Sequence, residues 1–184
     1  APNVSLNLVR FDEYVDYLNA IDWISNETDT DVVVASLSWD NTVGPLDGTS
    51  KIDRQIESAL VEEGVTWVNS AGNYADGQHW NGTWSDPDGD DWLNFSAGGE
   101  LKRIDTVGHL RLSLSWDEWN DSGSALGDYD LYLYDSPEDF PDSPIASSTN
   151  NQSGTSDPYE TLVAEGGSLK GSPPFYAGIY AYER

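Results

Sequence analysis

The chain has 184 residues, of which 33 are acidic and 8 basic, for a formal net charge of -25. A field of that sign repels nucleic acid and anionic membrane surfaces, so neither is expected as a partner. The absence of cysteine excludes disulfides, thiolate metal sites and a cysteine nucleophile, and no apolar run approaches the ~20 residues that span a bilayer.

In chain order, Val4 to Arg10 alternates and reads as a short strand. Asp12 is placed to cap a helix whose apolar residues Tyr14, Val15, Leu18, Ile21 and Ile24 follow the spacing of one buried face. Asp31 to Ser38 is a nearly unbroken apolar run, the pattern of a central parallel strand with both faces covered. After a Gly/Pro/Asn loop, Ser50 caps a second helix with Ile52, Ile56, Ala59 and Leu60 inward and Gly64 at its end. Val65 to Asn69 is the next strand, and it breaks into Ser70-Ala71-Gly72-Asn73. The order βαβαβ implies a parallel sheet with right-handed crossovers, and ligands of such sheets sit at the carboxyl ends of the strands. Ser36-Leu37-Ser38 and Ser70 to Asn73 both fall at such ends, so they are expected side by side. Small residues followed by an amide suit a ligand lying against the backbone with a fixed donor aimed at it.

The two helices, the valine strand ending Ser36-Leu37-Ser38, and Gly64-Val65 leading through Val68 to Ala71-Gly72-Asn73 together resemble the central part of a subtilisin-like serine protease. The resemblance implies a partial three-layer α/β catalytic segment over residues 1–76. It implies that Asn73 donates to the oxyanion. It also implies that Ser36, Leu37, Ser38, Ser70, Ala71 and Gly72 wall the primary specificity pocket and pair with the backbone of a peptide or protein substrate. Ser38 stands where that family usually has glycine and Ser70 where alanine is common, so the preference of the pocket stays open. The family's catalytic Asp, His and Ser motifs are expected before Ala1 and after Arg184, so the chain reads as a piece that is inert alone. Gly48-Thr49-Ser50 lacks the Ala and Pro that follow the family's serine and stands where a helix needs a cap. Neither His79 nor His109 has the flanks of the catalytic histidine.

From about Tyr74 helical spacing gives way to aromatics, Asp, Gly and Ser. Short alternating segments recur at 91–95, 102–105, 109–116, 130–134, 144–148, 159–164 and 175–182, which predicts an antiparallel β-sandwich over residues 77–184. Leu110, Leu112, Leu114 and Trp116 share one face of their strand. That Leu-x-Leu-x-Trp pattern, Asp128-x-Asp130-Leu-x-Leu, Ala146-Ser-Ser, Glu160 and a closing aromatic strand resemble the pre-peptidase C-terminal type of sandwich, a companion of secreted proteases. Here it would be an insertion in the catalytic domain.

Asp86, Asp88 and Asp90 alternate around Gly89, the arrangement of a loop that wraps calcium, although Ala97 stands where an EF-hand has its bidentate Glu. In so acidic a chain a chance cluster is the competing reading. Asp128 and Asp130 either hold a second ion or cap their strand. Trp80, Trp84, Trp92, Trp116 and Trp119 invite a sugar-stacking reading, with core packing as the alternative.

The acid excess, with aspartate outnumbering glutamate, fits a folded halophilic protein, because strong salt screens self-repulsion within a few Å. Several Asn-x-Ser/Thr sequons are compatible with export. The sequence reading is thus a fragment of a secreted subtilisin-like endopeptidase. Its rival is a calcium- or carbohydrate-binding sandwich on an α/β scaffold. The oligomeric state is open.

Overall fold

The computed structural model describes residues 3–39, 44–45, 47–73, 77–96, 99–106, 109–119, 125–152, 154, 156–164 and 173–184. Contacts divide the chain into one unit of Ala1–Ser38 with Val43–Asn73 and a second of Trp39–Thr42 with Tyr74–Arg184. The sequence places the division after residue 76; the contacts place it after Asn73 and send Trp39–Thr42 to the second unit.

The first unit contains α1 (Tyr14–Glu27), β1 (Val32–Ala35), α2 (Lys51–Ile56) continued by a π-helical turn (Glu57–Val61), and β2 (Thr66–Asn69). In α1 the residues at helical spacing that become buried are Tyr17, Ile21 and Ile24, while Val15 is exposed. Asp12 does not cap this helix. The cap position is Glu13, which makes no side-chain hydrogen bond, and Asp12 instead pairs with Arg10 at 2.9 Å. Ser50 does cap α2. Its hydroxyl accepts the Asp53 N–H and the Asp53 carboxylate returns to the Ser50 N–H, the reciprocal pairing of a capping box. Gln55 ties the two helices together, donating to the Leu18 carbonyl at 3.0 Å and to Asp22 at 2.7 Å. At the end of the π turn Val65 donates back to Leu60, and Gly64 takes the left-handed conformation (φ 91°) that such a helix ending requires.

Two further expectations fail in this unit. Residues 4–10 form no strand among the described residues, and Val4, Leu6 and Leu8 are exposed. An alternating apolar segment becomes a strand only when a partner satisfies its N–H and C=O groups, and among the described residues β1 pairs with β2 alone. Nor is β1 covered on both faces. It pairs with β2 in parallel, Val33 opposite Trp67 and Val34 opposite Val68. The face of Val33, Ala35 and Trp67 is the packed one, with Ala35 buried and Trp67 edge-on to Tyr17 at 6.4 Å. Val32, Val34 and Val68 on the other face are 54%, 73% and 47% exposed.

The second unit is built from antiparallel sheets. One has the order β3 (Lys102–Ile104), β8 (Phe175–Glu183), β5 (Asp128–Tyr134), β6 (Ala146–Ser148); the other pairs β4 (Leu110–Ser115) with β7 (Tyr159–Ala164). Their inward residues share one core: Leu110, Leu162 and Ala164 from the smaller sheet, Leu131, Leu133, Phe175 and Ile179 from the larger. This is the two-layer arrangement that period-2 patterning demands. The segment 91–95 is not a full strand. It touches β8 through the single bridge Trp92–Tyr180, with Leu93 donating to Ile179 and Ala181 donating to Asp91. Asp91 in a left-handed conformation (φ 68°) breaks any longer ladder.

Candidate functional site

The carboxyl ends of β1 and β2 are stitched together in the first unit. The ladder ends where the Ser70 N–H donates to the Ala35 carbonyl at 3.0 Å, and the Ser70 hydroxyl donates to the Leu37 carbonyl, also at 3.0 Å. The Asn69 side-chain amide donates to the Ser70 carbonyl at 2.9 Å. Leu37 is thereby held beside Ser70, and of Ser36, Leu37, Ser38, Ser70, Ala71, Gly72 and Asn73 all but the half-buried Leu37 are exposed. Gly72 turns the chain at φ 80°, a conformation a side chain would strain although nothing lies within 4 Å to obstruct it. Asn73 follows that turn at the surface. The arrangement is an exposed strand-end turn followed by an amide side chain. Among the described residues no nucleophile–base pair stands at these strand ends.

The acidic loop of the second unit is organised around Asp86, whose side chain is 1% exposed. One carboxylate oxygen accepts the N–H groups of Gly89 at 2.8 Å and Asp90 at 3.2 Å; the other accepts Asp91 N–H at 3.3 Å and the Arg184 guanidinium at 3.1 Å. Burial opposes its charge, but those N–H groups and Arg184 outweigh it and hold its pKa below the usual aspartate range. Gly89 at φ 78° supplies the turn that lets three successive N–H groups converge. Asp88, Asp90 and Asp86 bring carboxylate oxygens within 4.8 Å of one another, close enough for one hard cation to hold all three. Among the described residues this is the one such acidic or histidine group. Arg184 also reaches Asp91 at 2.6 Å and lies 5.3 Å above the centre of the Trp84 ring. Asn94 is buried with its side-chain oxygen unbonded among the described residues.

Two residues of this neighbourhood escaped the sequence reading. Glu100 is pushed above the usual carboxylate range by burial and then by the charges of Asp90, Asp88 and Asp86. Arg184 lies 98 positions from Asp86 along the chain, and the one sequence signal for it is the scarcity of cations that could answer a run of aspartates.

Among the described residues Asp128 and Asp130 belong to no group of three or more potential ligands. Asp128 accepts the Gln152 N–H at 3.3 Å and Asp130 accepts the Tyr132 hydroxyl at 3.0 Å. Burial raises the pKa of both; for Asp128 the charges of Glu160 and Glu183 add to it, and for Asp130 those of Asp128 and Glu160. Beside them Glu160, fully buried on β7, accepts from Asn150 N–H at 2.6 Å, the Asn150 amide at 2.9 Å, the Gln152 amide at 2.6 Å and the Ser148 hydroxyl. Of the tryptophans, Trp80 packs on Phe95, Trp84 and Trp116 on Tyr129, and Trp92 on Tyr132, Phe140 and Tyr180, all at tilted or edge-on angles. All five candidate tryptophans are half-buried, and none is fully exposed.

No protein-family model, curated protein or solved structure matches the chain.

Proposed function

We propose that the first unit is the central part of a subtilisin-like catalytic domain and that the whole protein hydrolyses peptide bonds through a serine acyl-enzyme. The observation that carries this reading is the stitching of the two strand ends, Ser70 onto Ala35 and Leu37, with Gly72 turning the chain before the exposed Asn73. On this reading the Asn73 amide donates to the oxyanion of the tetrahedral intermediate, and Ser36 to Ser38 and Ser70 to Gly72 hold the extended substrate. The nucleophile and its base come from sequence outside residues 1–184, so the chain alone is inactive. The acidic surface suits secretion into strong salt.

The test uses the complete reading frame. Asn73→Ala in the whole protein is expected to lower kcat about 10²–10³-fold, with KM little changed. An unchanged kcat, or a frame that encodes no serine-protease motif after residue 184, overturns the proposal.

A second reading concerns the cofactor. The convergence of Asp86, Asp88 and Asp90 within 4.8 Å supports a calcium ion on this loop, held in competition with Arg184.

A further inference from the structure

Six Asn-x-Ser/Thr sequons occur in the chain, at Asn3, Asn26, Asn81, Asn94, Asn120 and Asn151, and the fold separates them. A glycosylated asparagine needs an amide nitrogen within reach of a transferase, a hydroxyl two positions on that is free to bond the enzyme, and a surface segment not committed to a helix or a ladder. Asn26 lies in α1, its amide donates to the Asp22 carbonyl at 2.8 Å, and the Thr28 hydroxyl donates to the Ile24 carbonyl at 2.7 Å. Asn94 is buried. In the sequon of Asn151 the middle residue, Gln152, is buried and bonded to Asp128, Tyr159 and Glu160. Asn120 and Ser153 lie outside the described residues. Asn3 is exposed, but its backbone is left-handed (φ 82°) and its hydroxyl residue is a serine.

Asn81 meets all of these conditions. Residues 79–86 form neither helix nor strand, and Asn81 and Thr83 are both exposed. Neither side chain makes a hydrogen bond among the described residues. The flanking rings explain this exposure. Trp80 packs edge-on against Phe95 with centroids 5.0 Å apart, and Trp84 lies against Tyr129 at 5.1 Å, so rings packed on the sandwich core hold the segment on either side of the sequon. A Cβ at Gly82 would stand 2.3 Å from the Trp80 ring, which accounts for glycine at the middle position. With Trp80 and Trp84 turned inward, the amide of Asn81 and the hydroxyl of Thr83 are left facing solvent.

We propose that Asn81 is an acceptor for N-linked glycosylation, with the Thr83 hydroxyl as the group the transferase recognises. The co-substrate is a lipid-linked oligosaccharide phosphate. The Asn81 amide nitrogen forms a bond to C1 of its first sugar, the bond from C1 to the phosphate oxygen breaks, the lipid phosphate leaves with that electron pair, and the amide gives up one proton. Modification in the cell requires export and so rests on the secreted reading of the protein. It requires neither Asn73 nor a cation on the acidic loop.

The test incubates folded protein of residues 1–184 with a purified oligosaccharyltransferase that requires only the Asn-x-Ser/Thr signal, together with its lipid-linked oligosaccharide. Intact mass and glycopeptide mapping read the product. Glycan is expected on Asn81 and none on Asn26 or Asn94. Asn81→Gln and Thr83→Ala should each abolish modification at that position, and Thr83→Ser should retain it at a lower level. Both side chains are exposed, so these variants keep the fold, and far-UV dichroism verifies it. Folded protein that stays unmodified at Asn81 overturns the proposal. So does glycan on Asn94 as readily as on Asn81, or full modification of Thr83→Ala. Export is read separately: a protein that accepts glycan at Asn81 in the tube, yet is found only inside the cells that make it, removes the secreted reading and leaves the acceptor site standing.

Discussion

Glu160 gives the sharpest test of how the sandwich is held together. It is fully buried, its carboxylate takes four hydrogen bonds, and it draws Ser148, Asn150 and Gln152 from β6 and the following segment onto β7. In Glu160→Ala the Ser148 hydroxyl can rotate toward another acceptor, but Gln152 is only 2% exposed and its amide cannot turn to water. The exposed Asn150 can turn its donors to water, and the Gln152 amide keeps the Tyr159 carbonyl at 3.2 Å as a second acceptor. What is lost is the set of bonds to the carboxylate, at about 1.5–3 kcal/mol for a hydrogen bond to a charged group, so the Ala variant should lose about 3 kcal/mol. Glu160→Gln keeps one carbonyl for two donors and lets the Ser148 hydroxyl and the Asn150 amide turn round. It loses the charge assistance, at about 1–2 kcal/mol. Urea unfolding followed by tryptophan fluorescence should rank the proteins wild type, Gln, Ala. In thermal melts the Ala variant should fall on the order of 10–20 °C. An Ala variant within ~0.5 kcal/mol of wild type, or a Gln variant as unstable as Ala, refutes the argument that these donors depend on this carboxylate.

Three further outcomes follow from the same side chains. Removing the cation from the acidic loop with Arg184→Gln should tighten calcium binding about fivefold, on the order of the 1 kcal/mol that two charges in contact exchange in water, and calcium titration reads it directly. Asp128 and Asp130 have folded pKa values raised above their unfolded ones, so the folded state holds their protons more tightly. Their contribution is fully present below the ordinary aspartate value and is lost as pH rises through the raised values. Urea midpoints of the sandwich should thus fall from about pH 4 upward, and Asp130→Asn should flatten that fall. Ser50→Ala breaks the capping box of α2 and should destabilise the first unit by about 1 kcal/mol in the same denaturation experiment.

The alternation of Leu110, Leu112 and Leu114 predicted a half-buried strand, and the fold places these residues on the core side of β4. Ser50 was equally legible, because a hydroxyl three residues before Asp53 is a local signal whose partner lies within one turn. Apart from Asp12, the failures involve something that local sequence does not carry. Residues 4–10 have the pattern of a strand and lack a neighbour to pair with. Asp12 has the chemistry of a cap, yet Arg10 two positions away takes its carboxylate. The apolar run of β1 promised two covered faces, but coverage depends on which elements lie above the sheet, and only one side has them. At the acidic loop the spacing of Asp86, Asp88 and Asp90 was visible, whereas the guanidinium that holds Asp86 comes from the far end of the second unit.

The uncovered face of β1–β2 leads to the last prediction. A two-stranded sheet is marginal in water, and here its support comes from one side, through Tyr17, Ile21, Ile52 and Leu60. The sandwich, by contrast, shares a core between two sheets and carries, in β5–β8, the longest strand pairing among the described residues. Amide exchange should therefore find the N–H groups of Thr66 and Ser70 opening at lower free energy than those of Leu131 and Ile179. Substitutions on the two faces of β1 discriminate further. Val34, 73% exposed, should accept lysine within ~0.5 kcal/mol, whereas Leu60→Ala on the packed side should cost about 2–5 kcal/mol. If Val34→Lys unfolds the first unit as severely as Leu60→Ala does, the face is not bare in solution. A melting temperature that rises with protein concentration would then identify the cover as a second copy of the chain.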